Sequence, residues 1–508
     1  TISSIIISLL TLLSKVSGFI RDLFLASFFG ATNLADIFFF SMKIPYSIKP
    51  VVADENFNAS YLKISTNLES QKEKDEFSKK ILSVIILFFL PLVLMVEIYM
   101  PYIIEIIAAG KRDDEEFRTI ISTSRIIFPS IFFISTSAIF ISMLYERNKF
   151  TLVSALPIIT SLLIILAVIT YNPLLPLQNI TFIALSVLVA SFLQMLILMF
   201  GVHKSFWTNL FSPTRFKISL KNFFNIYLPL CASALFLQAA NIYYLYLNSF
   251  QEGAISWIYY AERLYFIPIS LIAIPLSTVM IPNLARLIIT NIKEASSLQE
   301  QAIKYFIVSV LPLSVFLFFI SDTLISFLFE RGKFTNSDSL ATAHALKFLI
   351  IGMPAFCFSI LLRPYFFALG KGKLILYFSL FSSLFGAVSA TLLSEKLLYL
   401  AIPLGISITS WMNAILYVIF HSKRKFITLD KGLFLYVMKY LLFTFLLLGE
   451  MQLIELIVFK NFISKFYALV LFSGVFLTSL MLFIYIFDKG ISDEISKRIK
   501  LKIKEITL

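Results

Sequence analysis

A few charged side chains interrupt long apolar runs of this chain, where a charge at mid-membrane depth costs at least about 2.5 kcal/mol. Ser14, Lys15, Arg21 and Asp22 lie in the first run, and Asp36, Lys43, Lys49 and Asp54 in the second. Glu262 and Arg263 lie far downstream in another. On a helix Lys15 and Asp22, seven residues apart, are nearly eclipsed, and Ser14, Gly18 and Arg21 form an adjoining stripe. Asp36, Lys43 and Asp54 share a face if their helix is continuous, although Pro45 and Pro50 each invite a kink. Snorkelling explains isolated charges near helix ends, such as Glu97, Glu105, Lys439, Glu450 and Glu455. It does not explain charges that are clustered, mixed in sign and repeated in distant segments. These read as the lining of a water-filled, net cationic cavity. The planar guanidinium fork grips phosphate and carboxylate oxygens bidentately and stays charged, so the expected ligand is anionic and phosphate-bearing. Catalysis on such a ligand would need a carboxylate base, a metal site or a catalytic His. His203, His344 and His421 are scattered near span ends, and there is no metal-ligand spacing and no phosphate-cradling Gly loop. The expectation is a transporter, not an enzyme, with no metal and no cofactor.

The elements that position these residues are helices. Of the 508 residues 59% are hydrophobic and 14% charged, against about 45–50% and 25% in soluble domains. Apolar blocks and Pro/Gly punctuation predict an all-α polytopic membrane protein of about fourteen transmembrane helices. They fall near 3–29, 33–62, 79–107, 118–144, 151–171, 179–202, 222–249, 254–284, 304–329, 339–368, 373–394, 398–420, 432–458 and 465–487. Short strands alternating every second residue, the mark of an outer-membrane barrel, are not seen. The first run carries Lys15, Arg21 and Asp22 and is not followed by a small-residue cleavage site, so it reads as a span rather than a signal peptide. Cys231 and Cys357 sit in apolar stretches and imply no disulfide framework.

The net charge of +13 is a topology signal before it is a nucleic-acid signal. With the N-terminus inside, Lys and Arg favour the inner connections by about three to one, which places both termini in the cytoplasm. Nucleic acid is not needed as a partner. The tail after Asp488 is basic with apolar residues at helical spacing, and is expected to lie on the anionic inner leaflet.

The chain also repeats. Ser27-Phe28, Ala35-Asp36, Phe38-Phe39 and Pro45 are echoed by Ser249-Phe250, Tyr259-Tyr260 and Pro268, at an offset that starts at 222 residues and drifts by one. Arg125 and Lys347, and Lys149 and Lys371, share that offset. Duplication of a six-helix unit follows. Six is even, so both copies enter the membrane the same way up, as a parallel repeat. The expected domains are two six-helix lobes around a central cavity, 1–203 and 204–425, then two C-terminal helices over 426–487 and the basic tail 488–508.

Three separated motifs carry a resemblance. Ser14-Lys15, Gly18, Arg21-Asp22, Gly30-Ala31, Ala35-Asp36-Ile37-Phe38-Phe39, Lys43-Ile44-Pro45 and Ala53-Asp54 resemble the opening of the MurJ/MviN lipid II flippases. Ser256-Trp257-Ile258-Tyr259-Tyr260-Ala261-Glu262-Arg263-Leu264 is similar to that family's eighth-helix signature, and Arg331-Gly332-Lys333-Phe334-Thr335 to its motif after the ninth helix. The resemblance covers most of the chain. It implies the fold of the multidrug/oligosaccharidyl-lipid/polysaccharide exporter superfamily, a groove for a lipid tail beside the last two helices, and export of lipid II across the bacterial inner membrane by alternating access. It implies that Arg21, Lys49 and Arg263 line the cationic cavity, with Asp22, Asp36, Asp54 and Glu262 as acidic companions. Lys15 and Lys49 stand where the family has Arg, which implies a looser grip there. Some members hold sodium through an acid in the seventh helix, whereas Ile226 to Ser249 contains no Asp or Glu. The expected partners are lipid II and membrane lipids, with the chain acting as a monomer. A related polysaccharide-lipid flippase or drug/cation antiporter is the alternative, and a predominantly basic cavity argues against the drug pump.

Overall fold

The computed structural model describes residues 2–52, 55–111, 113–170, 176–202, 206–207, 220–369, 371–422, 431–458 and 465–488. These are helical almost throughout, and each of the fourteen stretches expected to be helical is met by helix. Ten stretches among the described residues are long and apolar enough to cross a bilayer, by length and composition. One of them, Gly372–His421, is 50 residues long. At 1.5 Å per residue that is about twice the length a crossing needs, and a short 3₁₀ turn at Leu398–Leu400 divides it.

The first half of the chain folds as α1 (Ile2–Phe29), α2 (Asn33–Val52), α3 (Glu55–Ser65) and α4 (Gln71–Ile107), then α5 (Asp114–Ile127), α6 (Ser130–Glu146), α7 (Phe150–Ile169) and α8 (Pro176–Gly201). The second half follows with α9 (Lys221–Asn248), α10 (Ala254–Pro268), α11 (Ile274–Thr290), α12 (Ile292–Phe329), α13 (Asn336–Ala368), α14 (Gly372–Leu397) and α15 (Ala401–Ser422), before α16 (Lys431–Val458) and α17 (Lys465–Phe487). The expected 33–62 stretch is helical over Asn33–Val52 and Glu55–Ser65. Two other expected spans are interrupted, each for a reason written in the sequence. The expected 118–144 helix is α5 and α6, parted at Phe128-Pro129, where Pro129 offers no N–H to continue the ladder. Between α10 and α11 a π turn at Ile269–Ala273 follows Pro268 and precedes Pro275, absorbing the backbone bonds the prolines remove.

Two helices start earlier than hydropathy suggests. The Ser70 side chain accepts from the Glu73 N–H while the Glu73 carboxylate reaches back to the Ser70 N–H, a capping box that starts α4 at Gln71 rather than 79. α12 starts at Ile292, with a polar first stretch that carries a Glu300–Lys304 pair at 2.7 Å.

The chain packs as two compact units. The first comprises 1–263, 329–338 and 379–405, and the second 264–328, 339–378 and 406–508. Within the first, α1 lies along α7, α7 and α6 along α8, and α2 along α5 and α9. An aromatic cluster of Phe39, Tyr260, Phe329 and Phe334 fills its core, with centroids 5.2–5.9 Å apart. Within the second, Phe316 stacks on Phe476 at 4.4 Å, Tyr365 and Phe366 pack on His421, and Tyr417 packs on Phe366. Large apolar side chains point outward, among them Leu87 at 74%, Phe200 at 81% and Tyr485 at 72% exposure. Such a surface is stable only in lipid.

Candidate functional site

α1 is a long helix, and its sixth turn leaves Arg21 and Asp22 inside the first unit. Asp22 is the centre of the site. Its carboxylate is 3% exposed and Oδ1 accepts from Arg21 Nε at 2.9 Å and Nη2 at 2.7 Å. The Tyr259 hydroxyl donates to the same oxygen at 3.2 Å. Arg263 Nε stands 3.3 Å from Oδ2, as an ion pair rather than an aligned hydrogen bond. Tyr259 and Arg263 are four apart on α10 and so share a face. The guanidinium lies 4.1 Å over the Tyr259 ring, and the other face of that tyrosine stacks on Phe39 of α2 at 3.8 Å. Two arginines about 240 residues apart in sequence thus converge on one carboxylate, giving a cluster of net charge +1 whose second arginine is 40% exposed. An exposed guanidinium, pre-oriented on a rigid ring, can bind an anion without first losing its own freedom.

Next to Arg263 on α10, Glu262 pairs with Lys43 of α2 at 3.7 Å, and the two are equally half-buried. Lys15 and Lys49 are exposed on α1 and α2, and Lys49 Nζ is 5.5 Å from the Tyr46 ring centroid. The structure therefore assembles Arg21, Asp22 and Arg263 as one group and Lys43 and Glu262 as a pair beside it. Asp54 lies outside the described residues.

Two expected site residues are engaged elsewhere. The Ser14 hydroxyl donates to the Ser154 carbonyl at 2.7 Å and ties α1 to α7. Asp36 is 1% exposed and accepts from the backbone N–H groups of Gly253 at 2.7 Å and Ser256 at 2.9 Å, and from the Ser256 hydroxyl at 2.6 Å. It caps the orphan donors at the start of α10, a helix that belongs to the other half of the chain. Lys111 Nζ, 4.0 Å away, offsets its charge and donates to Asn33 Oδ1 at 2.7 Å. Sequence reasoning gave no role to Tyr259 or Phe39. The signal for Tyr259 was present as an aromatic four residues before an arginine in an apolar helix. Phe39 carried none, because its contact depends on how α2 meets α10. Among the described residues no three His, Cys, Asp or Glu side chains converge as a metal site.

In comparison with known proteins, residues 25–502 match the sequence profile of the family described as lipid II flippase MurJ. A probable lipid II flippase MurJ of Buchnera aphidicola subsp. Acyrthosiphon pisum is 32% identical over 456 residues, 87% of this chain and 88% of its own. Among solved structures, a lipid II flippase MurJ in an inward closed conformation superposes with a TM-score of 0.80 at 23% identity, over 96% of this chain and 99% of its own. An inward-facing multidrug resistance MATE transporter of the MOP superfamily gives 0.66 at 14% identity, over 83% of this chain and 97% of its own.

Proposed function

The chain belongs to the lipid II flippase MurJ family, and from that premise we propose that it moves lipid II from the inner to the outer leaflet of a bacterial inner membrane by alternating access. The observation that carries the reading is the convergence of Arg21 and Arg263 on Asp22. A diphosphate offers two adjacent anionic centres, and two guanidinium groups held side by side match them. Asp22 positions both arginines in the absence of ligand, and its own charge sets the depth of the site's attraction: too much positive charge would bind the headgroup and never release it. Lys15, Lys49 and the Lys43–Glu262 pair address the outer parts of the headgroup, including stem-peptide carboxylates, while the polyprenyl tail stays in lipid beside 426–487. The work is binding and release with no bond made or broken, so no cofactor is required, and one chain is the functional unit. The alternative of a drug/cation antiporter is disfavoured by the same net positive cluster.

The test is depletion of the protein from cells that depend on it. Lipid II then accumulates in the inner leaflet. Accumulation in the outer leaflet would place the block after export and overturn the reading.

The domain reading belongs to the same proposal: lobes at 1–203 and 204–425, C-terminal helices over 426–487, fourteen crossings, and both termini cytoplasmic. It is supported by the positive-inside distribution and by the even number of spans. A reporter that is active only in the cytoplasm, fused after Leu508, is expected to be active. A fusion active only on the outer side refutes the topology.

A further inference from the structure

The 222-residue offset relates more than sequence. Gly110 and Gly332 are 222 apart, and so are Ser27 and Ser249. Gly332 is seated on the backbone of Ser27, and the neighbouring Lys333 N–H donates to the Ser27 carbonyl at 2.8 Å. Gly110 is seated on the backbone of Ser249 and Phe250, and its N–H donates to the Ser249 hydroxyl at 3.0 Å. Each contact therefore places the turn after a long helix of one half on the helix–turn junction of the other. A Cβ at either glycine would stand inside van der Waals distance of a carbonyl that has no rotamer to move to. The surroundings repeat too. Glu116 accepts from Asn33 at the start of α2, and Asp338, 222 residues on, accepts from Trp257 Nε1 near the start of α10 at 3.0 Å.

We propose that Gly110 and Gly332 are a duplicated latch, two symmetry-related glycine-on-backbone contacts that close the end of the bundle opposite the chain's N-terminus and must both part for a substrate to leave there. The release step rests on the transport reading above. The contacts themselves do not.

Labelling of the full chain in lipid nanodiscs tests this. Cys231→Ala removes one native thiol, and Ser256→Cys puts a nearly isosteric reporter at a fully buried position against Asp36. Native Cys357, fully buried in the second unit, is kept as a reporter of intact folding. Gly110→Ala and Gly332→Ala are each expected to speed maleimide labelling of the reporter about tenfold, equal to about 1.4 kcal/mol in the closed–open balance, and the double variant more. Gly332→Ala also strains a backbone at φ +62°, whereas Gly110→Ala acts by bulk alone. Gly474→Ala, with open space around it, should change nothing. Ser249→Ala loosens the same contact without added bulk and is expected to give about a threefold rise. An unchanged reporter rate in either glycine variant, with Cys357 still protected, overturns the proposal. If Cys357 labels as well, the fold is lost and the Ser249→Ala result decides: no rise overturns it. Labelling needs no substrate, so a chain shown not to export lipid II would leave this result standing.

Discussion

Replacing Arg21 by alanine is expected to end export in cells that have no other copy, while the protein still inserts and accumulates. Arg263→Ala is expected to do the same. Arg21 makes two charge-assisted bonds to Asp22, which is almost fully buried. Removing one partner of a buried ion pair costs about 3–5 kcal/mol, most of it the cost of a carboxylate left under-compensated. In the transport cycle the loss is double: the ligand's phosphate loses a fork, and the remaining Arg263 is drawn closer to Asp22. A fall of more than about a hundredfold in transport follows from the lower end of that range. Arg21→Lys keeps the charge and loses the fork, so it should retain partial function. Arg263→Lys should be worse than Arg21→Lys, because the flat guanidinium on the Tyr259 ring is also lost. Growth at the normal rate with Arg21→Ala as sole copy would show that this cluster is not where the headgroup is held. Lys43→Ala, which breaks a half-exposed pair at 3.7 Å, should cost far less.

The arginine cluster was legible in the sequence because an uncompensated charge in an apolar helix demands a partner, and the partners were few. Asp36 shows the limit of that logic. It lies in the same stretch as Lys43 and reads as a cavity acid, yet it caps α10 from more than 200 residues away. Periodicity gives the face of a helix on which a residue lies. It does not say whether that face meets water or the bare N-terminus of another helix. The helices were legible as apolar blocks, and two of their breaks were marked by Pro129 and Pro268. Hydropathy missed the polar starts of α4 and α12, because a helix that leaves the membrane stays helical wherever caps and i,i+4 pairs support it. The box Ser70–Glu73 was readable as such a cap.

Transport is expected to depend on the membrane potential and not on a sodium gradient. A sodium ion at membrane depth needs several oxygen ligands and at least one carboxylate to offset its charge. α9 has none from Ile226 to its end, and two of its polar side chains are engaged by other side chains. Asn241 donates to Gln238 Oε1 at 3.0 Å, and the Tyr243 hydroxyl is 2.6 Å from that of Thr391. The arginine cluster supplies a different coupling. Arg21, Asp22 and Arg263 sum to +1, and Lys43 with Glu262 adds nothing. Once the anionic ligand has left on the outer side, the inside-negative potential acts on that single positive charge. Moving one charge through 100 mV is worth about 2.3 kcal/mol, enough to shift a two-state balance nearly fiftyfold toward the inward-facing form. With the ligand bound the cluster's charge is cancelled or reversed, so the same field no longer opposes the outward step. The measurement is flipping in vesicles with the potential held near zero by potassium and valinomycin, with and without a sodium gradient. Flipping is expected to fall by more than tenfold at zero potential and to stay low when sodium is added. Recovery on sodium alone would assign the driving force to a cation site and leave the arginine charge with binding as its sole task.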